Sequence, residues 1–123
     1  ENQDGLDTII ESQGNNLSGG QKQRISIARA LLRKPKVLIL DEAISNIDIE
    51  SEEIILDILS RLKKDMTVVL ITHRLRNTES ADYIYFLKDR KVIEEGSFVE
   101  MKEKENFGTL YNSQMDLEMW GVK

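Results

Sequence analysis

Apolar positions along this chain recur with two different periods, and the switches between them lay out its elements. From Gln21 to Arg33, Ile25, Ala28, Leu31 and Leu32 fall at helical spacing. Ser18, with Gln21 three residues later, predicts a capping box at the start of that helix. Pro35 ends it, because proline has no N–H with which to continue the ladder. Val37-Leu38-Ile39-Leu40 is a continuous apolar run closing on Asp41-Glu42, the pattern of a strand buried on both faces of a parallel sheet. Between residues 50 and 64, Ile54, Ile55, Ile58, Leu59 and Leu62 form one helical stripe. Thr67-Val68-Val69-Leu70-Ile71 predicts a second buried strand, completing a βαβ unit. Tyr83 to Lys88 and Lys91 to Glu95 predict two more strands around a tight turn at Asp89-Arg90. Beyond Gly96 the chain reads as helical, with Ser97 or Glu100 near one start and a second short helix around residues 108–118. Residues 1–17, polar and rich in Gly and Asn, predict mostly loop, with a helix end at the start. The layout is α/β.

Composition narrows what such a layout can do. The 123 residues suffice for one small domain, and 40% apolar against 32% charged residues is an ordinary balance for a packed core. A net charge of −5 argues against a generic nucleic-acid or anionic-membrane binder. Cysteine is absent, which excludes disulfides and thiolate metal sites and is compatible with the cytosol. No apolar run approaches the roughly 20 residues that span a bilayer. The polar opening Glu1-Asn2-Gln3-Asp4 reads as the interior of a longer protein.

Four short stretches carry candidate chemistry. Leu17-Ser18-Gly19-Gly20-Gln21 places two glycines at a helix N-terminus, where bare backbone and free N–H groups favour a phosphate. The same residues also fit a plain capped helix after a glycine turn. Asp41 and Glu42 stand where a strand ends, the edge at which α/β sheets hold their ligands. One carboxylate there can hold Mg²⁺ through water and the next can polarise an attacking water; an acidic pair can also simply open a loop. Ser45-Asn46-Ile47-Asp48 follows, and Asp48 also suits the N-cap of the next helix. The single histidine, His73, lies just past the second strand, where a structural or solvent-facing role is the alternative to a catalytic one.

Leu17 to Gln21, running on through Lys22-Gln23-Arg24 into Ile-Ser-Ile-Ala-Arg-Ala-Leu, resembles the signature motif of ATP-binding-cassette (ABC) ATPases and its helix almost residue for residue. The strand ending in Asp41-Glu42 looks like a Walker B strand with its catalytic glutamate. Ser45 to Asp48 resembles the D-loop, with Asn46-Ile47 in place of the usual Ala-Leu pair, and Ile71-Thr72-His73-Arg74 matches the switch, or H-loop. The motifs follow the family's order. Asp7-Thr8, Ile-Thr-His-Arg-Leu and the run from Ala81-Asp82-Tyr83-Ile84 to Glu95-Gly96 look more like exporters than importers. Two departures stand out. Exporters usually read Gly-Glu-x-Gly before the signature, where this chain has Glu11-Ser12-Gln13-Gly14, and Arg90 occupies a hairpin position where glycine is common.

The resemblance implies the C-terminal part of a P-loop NTPase (RecA-like) ABC domain, with a mostly parallel sheet flanked by helices and a C-terminal hairpin. Residues 1–34 then form the end of the helical subdomain and residues 35–123 the C-terminal part of the catalytic core. It implies ATP and Mg²⁺ as ligands, a second nucleotide-binding domain and a transmembrane domain as partners, and no nucleic acid. In the family each ATP lies between one subunit's phosphate loop and the other's signature, so Leu17, Ser18, Gly19, Gly20 and Gln21 would act on a nucleotide held across a dimer. Asp41 would hold Mg²⁺ through water, Glu42 would be the catalytic carboxylate, Ser45 and Asp48 would line the interface, and His73 would contact the γ-phosphate. No G-x-x-x-x-G-K-[ST] phosphate loop occurs in these 123 residues, so the chain alone is expected to be soluble, to bind MgATP weakly and not to hydrolyse it. A strand edge and apolar surface left exposed would invite pairing with another copy. The parent reads as an ATPase at the cytoplasmic face of a membrane that drives export. Alternatives are a soluble ABC-type ATPase acting on DNA or the ribosome, and a regulatory cassette that binds without hydrolysis.

Overall fold

A computed structural model describes residues 5–44 and 47–120, and these form two compact units, Glu1–Ile71 and Thr72–Lys123. Two short 3₁₀ turns, Gly5–Asp7 and Ser12–Gly14, lead into helix α1, Gly19–Leu31. Of the stretch 1–17, expected to be mostly loop with a helix end at its start, residues 1–4 lie outside the described residues and the rest holds these two turns. The capping box forms as the sequence predicts: Gln21 N–H donates to Ser18 Oγ at 3.1 Å, and Ser18 N–H donates to Gln21 Oε1 at 2.9 Å. At its other end α1 unwinds over Leu32 and Arg33, and Lys34 turns left-handed (φ 49°) just before Pro35. Proline disfavours helical geometry in the residue before it, so the helix ends ahead of the ring.

Strand β1, Val37–Asp41, and strand β2, Thr67–Ile71, pair in parallel through helix α2, Ile49–Leu62. The register sets Leu38 against Val68, Leu40 against Leu70 and Asp41 against Ile71. The expectation that both strands are buried on two faces is corrected. Leu38 and Leu40 pack with Ile27, Ile44, Ile55 and Leu59, whereas Val37 and Ile39 remain 51% and 64% exposed. β2 alternates in the same way, with Val69 and Ile71 outward. Helices α1 and α2 cover only one face of the pair, and side chains alternate across a strand. The buried stripe of α1 is also displaced: Ile27, Ala30 and Leu31 face the core, while Ile25 and Leu32 point outward. On α2, Ile55 and Leu59 are buried as the periodicity predicts, but Ile54 is exposed.

The second unit begins with a 3₁₀ turn, Leu75–Thr78, then strands β3, Ile84–Lys88, and β4, Lys91–Gly96, in an antiparallel hairpin. Asp89 and Arg90 both take positive φ (50° and 64°), as a two-residue primed turn requires. Arg90 therefore holds a conformation that glycine adopts without cost. A bulge between Phe86 and Leu87 leaves Ile93 as the extra residue on β4. Helix α3, Phe98–Lys102, is boxed by Ser97 and Glu100, and helix α4 runs over Glu105–Met119. The aromatic core centres on fully buried Phe107. Tyr111 stacks on it, while Phe86 and Phe98 meet it edge-on, with Met101, Leu75 and Ile84 around them.

Helix α4 starts three residues earlier than its local sequence predicts. Lys104, at the N-cap, supplies no side-chain cap. Glu94 of β4 does so from a distance, accepting from Asn106 N–H at 2.9 Å, Asn106 Nδ2 at 2.8 Å and Phe107 N–H at 2.8 Å. A carboxylate there satisfies free donors at the positive end of the helix.

Candidate functional site

At the N-terminus of α1 the signature residues are held by their own backbone. Leu17 N–H donates to Gly14 O at 2.9 Å, and Lys22 N–H to Ser18 O at 3.0 Å. Ser18 and Gly19 are exposed, Leu17 and Gln21 half-buried, and Gly20 buried. Gly20 is buried because α2 crosses there: a Cβ at this position would collide with the Ser51 side chain. Arg24, one turn on, reaches Ser51 Oγ at 3.4 Å. A glycine that reads as room for a phosphate is therefore also the seat of a helix crossing, and Ser51 and Arg24 belong to the same locus. In the sequence Arg24 stands only as a continuation of the signature and Ser51 is unmarked, since only the α1–α2 contact joins residues 27 positions apart.

The carboxylates lie at the C-terminal end of β1. Asp41 and Glu42 are both exposed. Glu42 N–H donates to Ile71 O at 2.9 Å, extending the β1–β2 ladder by one rung, and Glu42 itself is left-handed (φ 46°). A non-glycine residue in that region costs about 1–2 kcal/mol, and such strain gathers at functional positions. No group of three or more His, Cys, Asp or Glu among the described residues is arranged to cage a metal. One exposed carboxylate with hard oxygen donors fits a cation that keeps water and phosphate ligands, as Mg²⁺ does.

Asp48 caps α2, its Oδ1 accepting from Ser51 N–H at 2.9 Å. That bond, with a second from the Ser51 side chain, holds its carboxyl below the usual range. The capping role is thus realised at Asp48. Ser45, its companion in the D-loop assignment, lies outside the described residues.

His73 belongs to the second unit and is exposed. Its segment is tied at several points. Arg74 N–H donates to Thr72 Oγ1 at 3.0 Å, and Gln114 of α4 bonds both His73 O (3.0 Å, from Nε2) and Leu75 N–H (2.9 Å, to Oε1). One turn away, Tyr111 Oη donates to Glu79 Oε1 at 2.7 Å. Burial, reinforced by that bond, pushes the Tyr111 phenol up to about 12. Nothing in the local sequence marks Gln114; only the docking of α4 brings it 41 positions back along the chain.

The structure thus brings the signature at the head of α1 and Asp48 at the head of α2 together around Ser51, and sets Asp41 and Glu42 at the end of β1; His73 belongs to the second unit.

Known proteins carry the same stretch. The family model described as ABC transporter matches residues 1–45. An uncharacterized ABC transporter ATP-binding protein of Haemophilus influenzae is 49% identical over 115 residues, 93% of this chain and 20% of that protein. The ATP-dependent lipid A-core flippase of Vibrio vulnificus is 52% identical over 103 residues, 84% of this chain and 18% of the flippase. In three dimensions the chain is similar to a bacterial Atm1-family ABC exporter with ATP bound. The TM-score is 0.79 at 32% identity, covering 92% of this chain and 20% of the exporter chain. The chain spans about a fifth of the length of these proteins. Over the stretch that it spans, this chain belongs to the ATP-binding domains of the ABC transporter family.

Proposed function

We propose that the chain serves a domain that hydrolyses MgATP and couples hydrolysis to export across a membrane, from the cytoplasmic face. Residues 1–34 are the end of its helical subdomain and residues 35–123 the C-terminal part of its catalytic core. Asp41 holds Mg²⁺ through water, and Glu42 polarises the water that attacks the γ-phosphorus and takes up its proton. His73 contacts the γ-phosphate. Leu17, Ser18, Gly19, Gly20 and Gln21 present the head of α1 to the phosphates of an ATP held by a second nucleotide-binding domain. Ser45 and Asp48 line that dimer interface, and a transmembrane domain receives the motion. The exporter assignment is supported by the lipid A-core flippase and the Atm1-family exporter among the similar proteins.

The observation that carries this reading is the end of β1. An aspartate and a glutamate follow one another at the C-terminal edge of a parallel pair, both exposed, the second in a costly left-handed turn. Lys34, Asp89 and Arg90 share the left-handed geometry at ordinary turns, so it is the exposed acidic pair at the strand end, more than the strain, that supports the reading. In the full-length protein Glu42→Gln keeps the shape and removes the base, so ATP turnover is expected to fall by about a hundredfold or more while nucleotide still binds. Turnover equal to wild type would refute the role.

A further inference from the structure

Three residues on one face of α4 reach the segment that carries His73. Tyr111, Gln114 and Glu118 are spaced at 3 and 4 positions, so they share a helical stripe. Tyr111 bonds Glu79, Glu118 lies 3.7 Å from Arg76, and Gln114 bonds the backbone on both sides of Arg74. The Gln114 contacts differ in kind from the other two. A single amide gives its N–H to His73 O and takes the N–H of Leu75, so both of its polar ends are used on His73 and on its second neighbour. The carbonyl oxygen can only accept and the N–H can only donate, which fixes the orientation of the amide. The Thr72 hydroxyl and the 3₁₀ turn brace the same segment from within. These bonds hold the His73 backbone, and with it the point from which the exposed ring projects.

We propose that Gln114 is a positioning residue for catalysis: it clamps the backbone of His73 and Leu75, so that α4 sets the place of the switch histidine. This rests on His73 acting as the γ-phosphate contact. A clamp that fixes a reacting geometry acts on the chemical step more than on nucleotide binding, since small misplacements near the reacting atoms cost rate steeply.

The test uses the full-length protein and compares Gln114→Leu, His73→Ala and the double variant. Gln114→Leu is expected to lower kcat about tenfold, with KM for ATP within about twofold of wild type. Hydrogen exchange at the Leu75 amide should accelerate in the same variant. The double variant should turn over no more slowly than His73→Ala alone, because residues acting through one another do not add. Wild-type kcat in Gln114→Leu beside an impaired His73→Ala overturns the clamp and leaves the role of His73 standing. Wild-type turnover in His73→Ala overturns both. Additive losses in the double variant also overturn the clamp, since Gln114 would then act elsewhere. If Gln114→Leu fails to fold, Gln114→Glu replaces it. That variant still accepts from Leu75 N–H but sets a carboxylate oxygen against His73 O; the same loss of kcat supports the clamp, and wild-type kcat overturns it.

Discussion

Glu42 and Gly20 show two ways in which one residue is held to its identity. Glu42 is left-handed at the end of a strand, so its side chain is kept there against a backbone cost. Glu42→Gly removes that cost. Its denaturation midpoint is expected to lie no lower than that of wild type, although turnover of the full-length protein is lost. A midpoint well below wild type would show that the glutamate side chain supports the fold as well. Gly20 is held by sterics: any Cβ meets Ser51. Gly20→Ala should destabilise by about 1–3 kcal/mol through overpacking, measured by chemical denaturation. Adding Ser51→Gly should recover part of the loss, since it deletes the atoms that collide.

Among the elements, α4 depends most on distant partners. Its N-terminus lacks a local side-chain cap and relies on Glu94. Glu94→Ala is expected to cost about 1–2 kcal/mol. Glu94→Gln should cost less, because an amide retains one acceptor oxygen but cannot accept at its nitrogen. Partial burial by itself would push the Glu94 carboxyl up, yet the bonds from Asn106 and Phe107, helped by Lys104, outweigh it and hold the group below its usual range. Glu100 is lowered too, chiefly by the Ser97 hydroxyl and backbone N–H. A lowered carboxylate contributes stability that is present above its unfolded value and fades as the pH falls through its folded value. Thermal melts taken downward from neutral pH should therefore lose stability at and below the ordinary carboxylate range. Glu94→Ala should flatten that slope, and an unchanged slope would mean that other groups set it.

For the molecule as a whole, the decisive feature is apolar surface. Val37, Ile39, Val69 and Ile71 line the outward face of β1 and β2, and Tyr85, Leu87 and Val92 lie exposed on the hairpin. Each parallel strand has one partner strand among the described residues, which leaves backbone edges able to pair. The purified 123-residue chain is expected to self-associate, with a sedimenting mass that rises with concentration. It should show no saturable ATP hydrolysis of its own. A monodisperse monomer at high concentration, or measurable turnover, would contradict these expectations.

The family resemblance was legible in the sequence because its motifs are contiguous runs: Leu17 to Gln21, Asp41-Glu42, and Ile71 to Arg74. The capped helix start, the acidic strand end and the lone histidine each need neighbours only a few positions away. Both strands of the parallel pair, the hairpin and the capping box of Ser18 and Gln21 could be read for the same reason. Other features required tertiary structure. The one-sided burial of β1 and β2, the inward face of α1 at Ile27 and the early start of α4 depend on which helix covers which face. The contact of Gly20 with Ser51, the cap from Glu94 and the grip of Gln114 on His73 and Leu75 join residues far apart in the chain. Periodicity reports whether a segment can present an apolar face; only packing decides what that face meets, and which distant polar group completes a backbone that the local sequence leaves unsatisfied.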